Sequence, residues 1–403
     1  MLIVLFVLSF LVDWYILLDV RLLSAPSHRK RNSIIYGFSA VLCWALLIVT
    51  ICLPRRSGDN DLIPIMWMLY TYLSIYIPKL VYCICSLIGR IFRKREPRSR
   101  NYGAMAGIPL AVLVFILLWW GALFTRNEIE TRELEISSER IPKSFDGYRI
   151  VQFSDLHTGT WGNDTSFVSK LVDTINRLNA DAIFFTGDIV NRNTNELEPF
   201  LPVLSRLKAK DGVYSVRGNH DYGDYMDWDS QAEHAANNAL LGIWEKQMGW
   251  DVLDNTYRYL VRDNDSIILI GVENWGEPPF TQYGNLKDSY GRDAKGHLRD
   301  ERYKILLSHN PEHWNREVRK ISNIDLTLAG HTHAMQVMLK AGDWRWSPAA
   351  WRYEQWGGLY ADSVSGPNPS NLYVNIGTGE VAMPSRIGAI PELTVITLRS
   401  GKK

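Results

Sequence analysis

The residues with the most chemical capacity stand at the polar tips of short apolar runs. Asp155 and His157 close YRIVQFSDLH, and Asp188 closes DAIFFTGDIV. Asn219, His220 and Asp221 end GVYSVRGNHD, His309 ends YKILLSHNP, and His331 and His333 end IDLTLAGHTH. Carboxylate, imidazole and amide together suit borderline divalent ions such as Mn, Fe or Zn. The set is too large for one tetrahedral ion and large enough for two ions that share a bridging carboxylate. Any single Asp or Asn here reads as a strand-end cap or turn former; the whole set in this order does not. Spacing alone does not divide the ligands between two ions. Because residues i and i+2 of a strand share a side, His331 and His333 are expected to reach one point from the end of a strand.

The elements that must hold these groups follow from the runs themselves. Continuous apolar strands, with SIILIGVEN at 266–274 among them, are buried on both faces and imply a sheet covered on two sides. A helix over 164–179, with Asp164 as N-cap and Phe167, Val168, Leu171, Val172 and Ile175 at helical spacing, supplies cover. The polar groups all fall at carboxyl ends of strands, where open α/β sheets place their sites. A formal net charge of +1 over 403 residues gives no global field for a nucleic-acid polymer, so none is expected as a partner. All four cysteines (Cys43, Cys52, Cys83, Cys85) precede this region, which therefore has neither a disulfide nor a thiolate ligand.

Before about residue 125 the composition changes to long apolar runs. Four spans, about 2–20, 34–53, 62–89 and 104–124, have the length of bilayer-crossing helices. The chain is thus expected to divide into a transmembrane region at 1–125, a linker at 126–145 and an α/β domain at 146–403. The first run lacks the basic start and small-residue cleavage site of a signal peptide. Asp13 interrupts it, as a functional carboxylate or as the mark of a helix shifted toward the interface. The first connecting loop carries Arg21, Arg29, Lys30 and Arg31, and the third carries Arg93, Lys94, Arg95, Arg98 and Arg100. The second has Arg55 and Arg56 with Asp59 and Asp61. Positive loops stay cytoplasmic, so an integral, multi-pass protein is expected with its α/β domain on the extracytoplasmic face.

Five blocks in order, D-x-H at 155–157, G-D at 187–188, G-N-H-D at 218–221, His309 and G-H-T-H at 330–333, resemble the calcineurin-like metallophosphoesterase signature over about 146–400. The membrane half is similar to that of membrane-attached bacterial members. The resemblance implies a four-layer α/β/β/α sandwich preceded by an all-α four-helix transmembrane region. It implies one ion on Asp155, His157, Asp188 and His333, and a second on Asp188, Asn219, His309 and His331, with Asp188 bridging. The expected activity is hydrolysis of phosphate mono- or diesters by a metal-bridging hydroxide, with His220 stabilising the transition state or protonating the leaving oxygen. Protein phosphatases of the superfamily carry a second Asp where this chain has Asn191, so Asn191 or Asp221 is expected to orient His220. Many relatives have two glycines where this chain has Ala334 and Met335, which are expected to narrow the space beside the metals.

The stretch AGDWRWSPAAWRYEQWGGLY at 341–360 gathers Trp344, Trp346, Trp351 and Trp356 with Arg345 and Arg352. It reads as a self-packed loop, or as a lip or headgroup-level surface beside the site. A second insertion at about 222–250 would form the opposite wall, with His234 on the surface of a helix. Lipid-linked phosphoesters rank first as substrates and nucleotide diesters second. The competing readings are a non-hydrolytic metal-dependent sensor or scaffold, and a transporter with an accessory domain.

Overall fold

The computed structural model describes residues 2–54, 56, 62–92, 100–278, 280–290, 300–321, 323–362 and 370–401. Arg55, Asp59, Asp61, Arg93, Lys94, Arg95 and Arg98 lie outside the described residues. The chain forms two compact units. One is essentially Leu2–Leu123 with Ala382–Ser385, and the other is Phe124–Val381 with the chain from Arg386 onward.

The first unit holds α1 (Leu2–Leu23), α2 (Arg29–Cys52), α3 (Leu62–Ile91) and α4 (Tyr102–Leu123). Among the described residues, α2, α3 and α4 are long and apolar enough to cross a bilayer. Helix α2 starts five residues before the expected 34, so Arg29, Lys30 and Arg31 form its first turn rather than a loop. Ile34, Phe38, Ile108 and Phe115 are exposed, as side chains facing lipid would be. Asp13 is buried and accepts hydrogen bonds from Tyr36 and Tyr76 at 2.6 Å each and from Lys79 at 2.8 Å. A helix displaced toward the interface is therefore not needed to account for Asp13. Asp19 is engaged in the same way by Tyr82, Ser86 and Arg90. Partners on neighbouring helices offset the cost of both carboxylates, and the helices carry more internal polarity than Asp13 alone.

The second unit begins earlier than its hydrophobic runs suggest. Strand β1 (Glu130–Ser138) lies inside 126–145, the stretch expected as a linker, and pairs in parallel with the last strand of the chain. Its alternating burial explains the difference: only every second side chain meets the core, so ETRELEISS has the composition of exposed chain. There follow β2 (Arg149–Phe153), β3 (Ala182–Phe185), β4 (Val213–Ser215), β5 (Trp250–Val252), β6 (Thr256–Arg262) and β7 (Asp265–Val272). The remainder are β8 (Lys304–Ser308), β9 (Leu326–Ala329), β10 (Leu339–Ala341), β11 (Trp344–Trp346), β12 (Gly358–Asp362), β13 (Ser370–Val374) and β14 (Glu392–Ser400). Two mixed six-stranded sheets result, in the orders β1-β14-β2-β3-β4-β5 and β12-β13-β9-β8-β7-β6, with β10-β11 a separate hairpin.

Three apolar layers define the sandwich. Between the sheets, Ile150, Phe184 and Ile396 of the first meet Leu269, Ile305, Leu307 and Leu328 of the second. On the outer face of the first sheet, Val151, Phe153, Ile183 and Phe185 pack against α5 (Ser166–Arg177) through Phe167, Val168, Leu171, Val172 and Ile175, and against Leu241 of α6 (Gln231–Gln247). On the outer face of the second sheet, Ile268, Ile270 and Leu306 are covered by Leu286, Trp314 and Val318. The unit is the expected α/β/β/α sandwich, with period-two alternation sending neighbouring side chains into different layers. Helix α5 starts at Ser166, two residues inside the expected 164–179, and the Asp164 carboxylate accepts from the Ser166 amide at 2.9 Å.

Candidate metal centre

The parallel strands β2, β3, β8 and β9 run their carboxyl ends to one edge of the sandwich, and the polar tips meet there. Backbone hydrogen bonds knit the tips together. The Asp155 amide donates to the Gly187 carbonyl at 2.9 Å, and the His157 amide to the Asp188 carbonyl at 3.2 Å. Glycine is required where these loops touch carboxylates. A Cβ at Gly218 would collide with the Asp188 carboxylate, and one at Gly330 with Asp155 and Ser154.

Two clusters emerge: Asp155, His157 and His333, and Asp188, His309 and His331. In the first, His157 Nε2 and His333 Nε2 face each other at 3.0 Å, and His333 Nε2 stands 3.1 Å from Asp155 Oδ1. In the second, His309 Nε2 lies 3.1 Å from Asp188 Oδ2 and 3.2 Å from His331 Nδ1. The same Asp188 Oδ2 is 3.7 Å from His157 Nε2, so one oxygen faces both clusters. Its Oδ1 is occupied by the His220 amide at 2.8 Å. His331 and His333 thus belong to different clusters. They do not continue β9 in the manner of a strand, because both adopt left-handed backbone, with φ of 74° and 50°.

Several atoms fit a cation directly. Asn219 Oδ1 is buried with no partner, while its Nδ2 donates to Tyr225 Oη at 2.8 Å. The amide oxygen is therefore the end left over. Ring orientation is set from behind: His309 Nδ1 donates to the Thr186 carbonyl at 2.7 Å, leaving Nε2 toward Asp188. His331 Nε2 meets Tyr353 Oη at 2.9 Å, and His333 Nδ1 stands 3.3 Å from the buried Arg386 guanidinium.

The charges are strongly coupled. Burial pushes the Asp188 carboxyl upward, but His309 and His220 outweigh it and hold the group well below the ordinary carboxylate range. Burial likewise opposes ionisation of Asp155, and His333 reverses it. Burial would lower His309, but Asp188 and Asp155 raise it to about 9. Burial and the neighbouring His309 lower His331 to about 3. His309, raised by its two carboxylate neighbours, is the imidazole whose proton a bound cation would displace.

His220 stands at the edge of the clusters, its ring 4.8 Å from that of His157 and 4.4 Å from that of Tyr225. The two expected orienting residues differ in what they do. His220 Nδ1 donates to the backbone carbonyl of Asn191 at 2.6 Å, while the Asn191 side chain turns to Thr160 and the Glu380 carbonyl. The Asp221 carboxylate is not brought to His220. It accepts from the amides of Asp188, Ile189 and Gly218 at 2.8 Å each and Val190 at 3.3 Å, and so fixes the loop that carries Asp188.

The two insertions reach the centre through residues that spacing does not single out. Tyr225, from 222–250, lies over His220; Tyr353, from 341–360, reaches His331; Phe280 stands edge-on to His331 at 5.1 Å. His234 is half-buried rather than superficial, with Nε2 against the Tyr222 carbonyl and its ring stacked on Trp228. Within 341–360 the tryptophans divide by burial. Trp356 is buried with Ala334, Met338 and Tyr353, whereas Trp344 and Trp351 are 57% and 80% exposed. Ala334 is buried in that same cluster, and Met335 is exposed.

Comparison with known proteins agrees with this geometry. Residues 148–335 match the family described as calcineurin-like phosphoesterase. Residues 1–126 match the family described as probable calcineurin-like phosphoesterase, transmembrane domain. The uncharacterized metallophosphoesterase YkuE of Bacillus subtilis (strain 168) is 31% identical over 279 residues, 68% of this chain and 86% of its own length. A Danio rerio transmembrane protein with metallophosphoesterase domain is 28% identical over 298 residues, 72% of this chain and 61% of that protein. The UDP-2,3-diacylglucosamine pyrophosphatase LpxG of Chlamydia muridarum (strain MoPn / Nigg) is 26% identical over 281 residues, 59% of this chain and 79% of that protein. The chain therefore belongs to the calcineurin-like metallophosphoesterases, as a membrane protein and a phosphoester hydrolase of a family that uses divalent metals.

Proposed function

We propose that the centre holds two divalent ions, Mn, Fe or Zn, and hydrolyses a lipid-linked phosphoester. The observation that carries the dinuclear reading is Asp188 Oδ2, which faces His157 on one side and His309 on the other. On this reading Asp155, His157, Asp188 and His333 hold one ion, and Asp188, Asn219, His309 and His331 hold the other. When bound, the ions supply Lewis-acid charge for the phosphoryl oxygens and an acidified water. The protein groups do the rest. His220, anchored through Nδ1 to the Asn191 carbonyl, presents Nε2 as the ring position that hands a proton to the leaving oxygen. Asp221 positions the Asp188 loop through backbone amides.

Two facts support a lipid-linked substrate. Trp344, Trp351, Leu339 and Met335 are exposed along the segment whose Tyr353 reaches His331, an aromatic and apolar surface of the kind favoured at lipid headgroups. The Chlamydia relative is named for a pyrophosphatase of a diacylated glucosamine nucleotide. The purified full chain should hydrolyse both a soluble diester, bis-p-nitrophenyl phosphate, and a lipid pyrophosphate in mixed micelles, and chelation should abolish both. Hydrolysis surviving chelation, or none on either substrate, would exclude the dinuclear reading. Trp344→Ala with Trp351→Ala should cut turnover of the lipid substrate about tenfold and spare the soluble one. Equal rates on both would remove the aromatic surface from substrate choice.

We also place the α/β unit outside the cytoplasm, on the loop charges. In a cysteine-free background, S27C should be shielded from an impermeant thiol reagent in intact cells. S205C should react once any outer barrier is opened. The reverse pattern would put the catalytic unit in the cytoplasm.

A further inference from the structure

The membrane unit carries a second feature that phosphoester hydrolysis does not use. Between the end of α1 and the start of α2 lies a pocket of about 460 Å³, within the usual size of small-ligand sites. Arg21, Arg29 and Lys30 line it together with Leu17, Ser33 and Ile34. Among the described residues, no carboxylate lines the pocket. The two carboxylates of α1 are engaged elsewhere, Asp13 by Tyr36, Tyr76 and Lys79, and Asp19 by Tyr82, Ser86 and Arg90. Two of the three cations sit in the first turn of α2, where the helix dipole disfavours positive charge and no acidic residue compensates. Ser33 also lines the pocket, and its hydroxyl is buried with no hydrogen-bond partner among the described residues.

We propose that this pocket binds the phosphate of an anionic membrane phospholipid. The three cations meet the phosphodiester charge, the Ser33 hydroxyl turns from its buried position to donate to a phosphoryl oxygen, and Leu17 and Ile34 border the start of the acyl chains. A basic loop that served orientation alone would need only its charge. It would not need three cations and an apolar wall lining one pocket. Free phosphate shares the charge but not the apolar wall, and the lipid is the occupant that uses both. Arg31 stands in the same turn, is exposed and does not line the pocket, which makes it the internal control.

The test uses the full chain in neutral detergent. All four cysteines lie in the membrane unit, and Cys52 is exposed while Cys83 is buried, so in a Cys52→Ser background a fluorogenic maleimide reports the unfolding of that unit alone. Adding phosphatidylglycerol should raise the transition by about 4 °C or more, and phosphatidylcholine should not. Arg29→Gln and Lys30→Gln should each raise the phosphatidylglycerol concentration at half-effect about fivefold, and Arg31→Gln should leave it unchanged. Ser33→Ala, which keeps the fold and all charges, should also weaken the effect. An equal shift with phosphatidylcholine, the same shift with matched inorganic phosphate, or an equal loss in Arg31→Gln would each overturn the proposal.

Discussion

Asp188→Asn should yield a folded protein with neither ion at full occupancy and with phosphodiester hydrolysis lowered by about 10³-fold or more. The expectation follows from one atom. Asp188 Oδ2 lies 3.1 Å from His309 Nε2 and 3.7 Å from His157 Nε2, while Oδ1 is committed to the His220 amide. An amide in its place loses the charge that two cations would share and presents hydrogens to one side. The backbone tolerates the change, because φ here is 61° and Asn accepts left-handed geometry better than most residues. Metal analysis by mass spectrometry, with circular dichroism to check the fold, measures the outcome. Two full ions in this variant would contradict the bridging role.

His220→Ala should behave in the opposite way toward metal. Its ring stands beside the clusters and its Nδ1 points away to the Asn191 carbonyl, so both ions should remain. Activity should fall by about 10² to 10⁴-fold, the range for losing a general acid. The loss should be smaller on substrates whose leaving group needs no proton, such as p-nitrophenolate, than on alkyl esters. Metal content falling in step with activity would make His220 a ligand and return the proton to another donor.

These two residues were legible from sequence because each closes an apolar run, and a strand that ends in the core must deliver its next side chain to a common edge. The tips of β2, β3, β4, β8 and β9 obey that rule. It fails where a residue arrives from an insertion. Tyr225 and Tyr353 come from the two insertions and Phe280 from the segment after β7; none belongs to a periodic pattern, and only folding brings them to the imidazoles. Arg386 sits among residues with no strand signal, and its contact with His333 depends on how the 375–391 segment turns back. Strand β1 was hidden for another reason: at a sheet edge half its side chains face water, and its charges outnumber its apolar residues. Within the tryptophan-rich stretch composition could not separate Trp356, which is core, from Trp351, which is surface.

The conformation of the site loops bears on how the enzyme can change. Asp155, His157, Asp188, His331 and His333 all have φ between 49° and 74°, and Ala334 and Met335 follow at 49° and 45°. Each such non-glycine residue costs about 1 kcal/mol or more, drawn from the stability of the two sheets. Glycine at 334 and 335 would relieve part of that cost and loosen the hinge behind His333. The side chains present do the reverse, trading fold stability for a fixed direction of one imidazole. Mutational drift at this loop is therefore asymmetric: changes that make the protein hardier are the ones that blur its donor geometry.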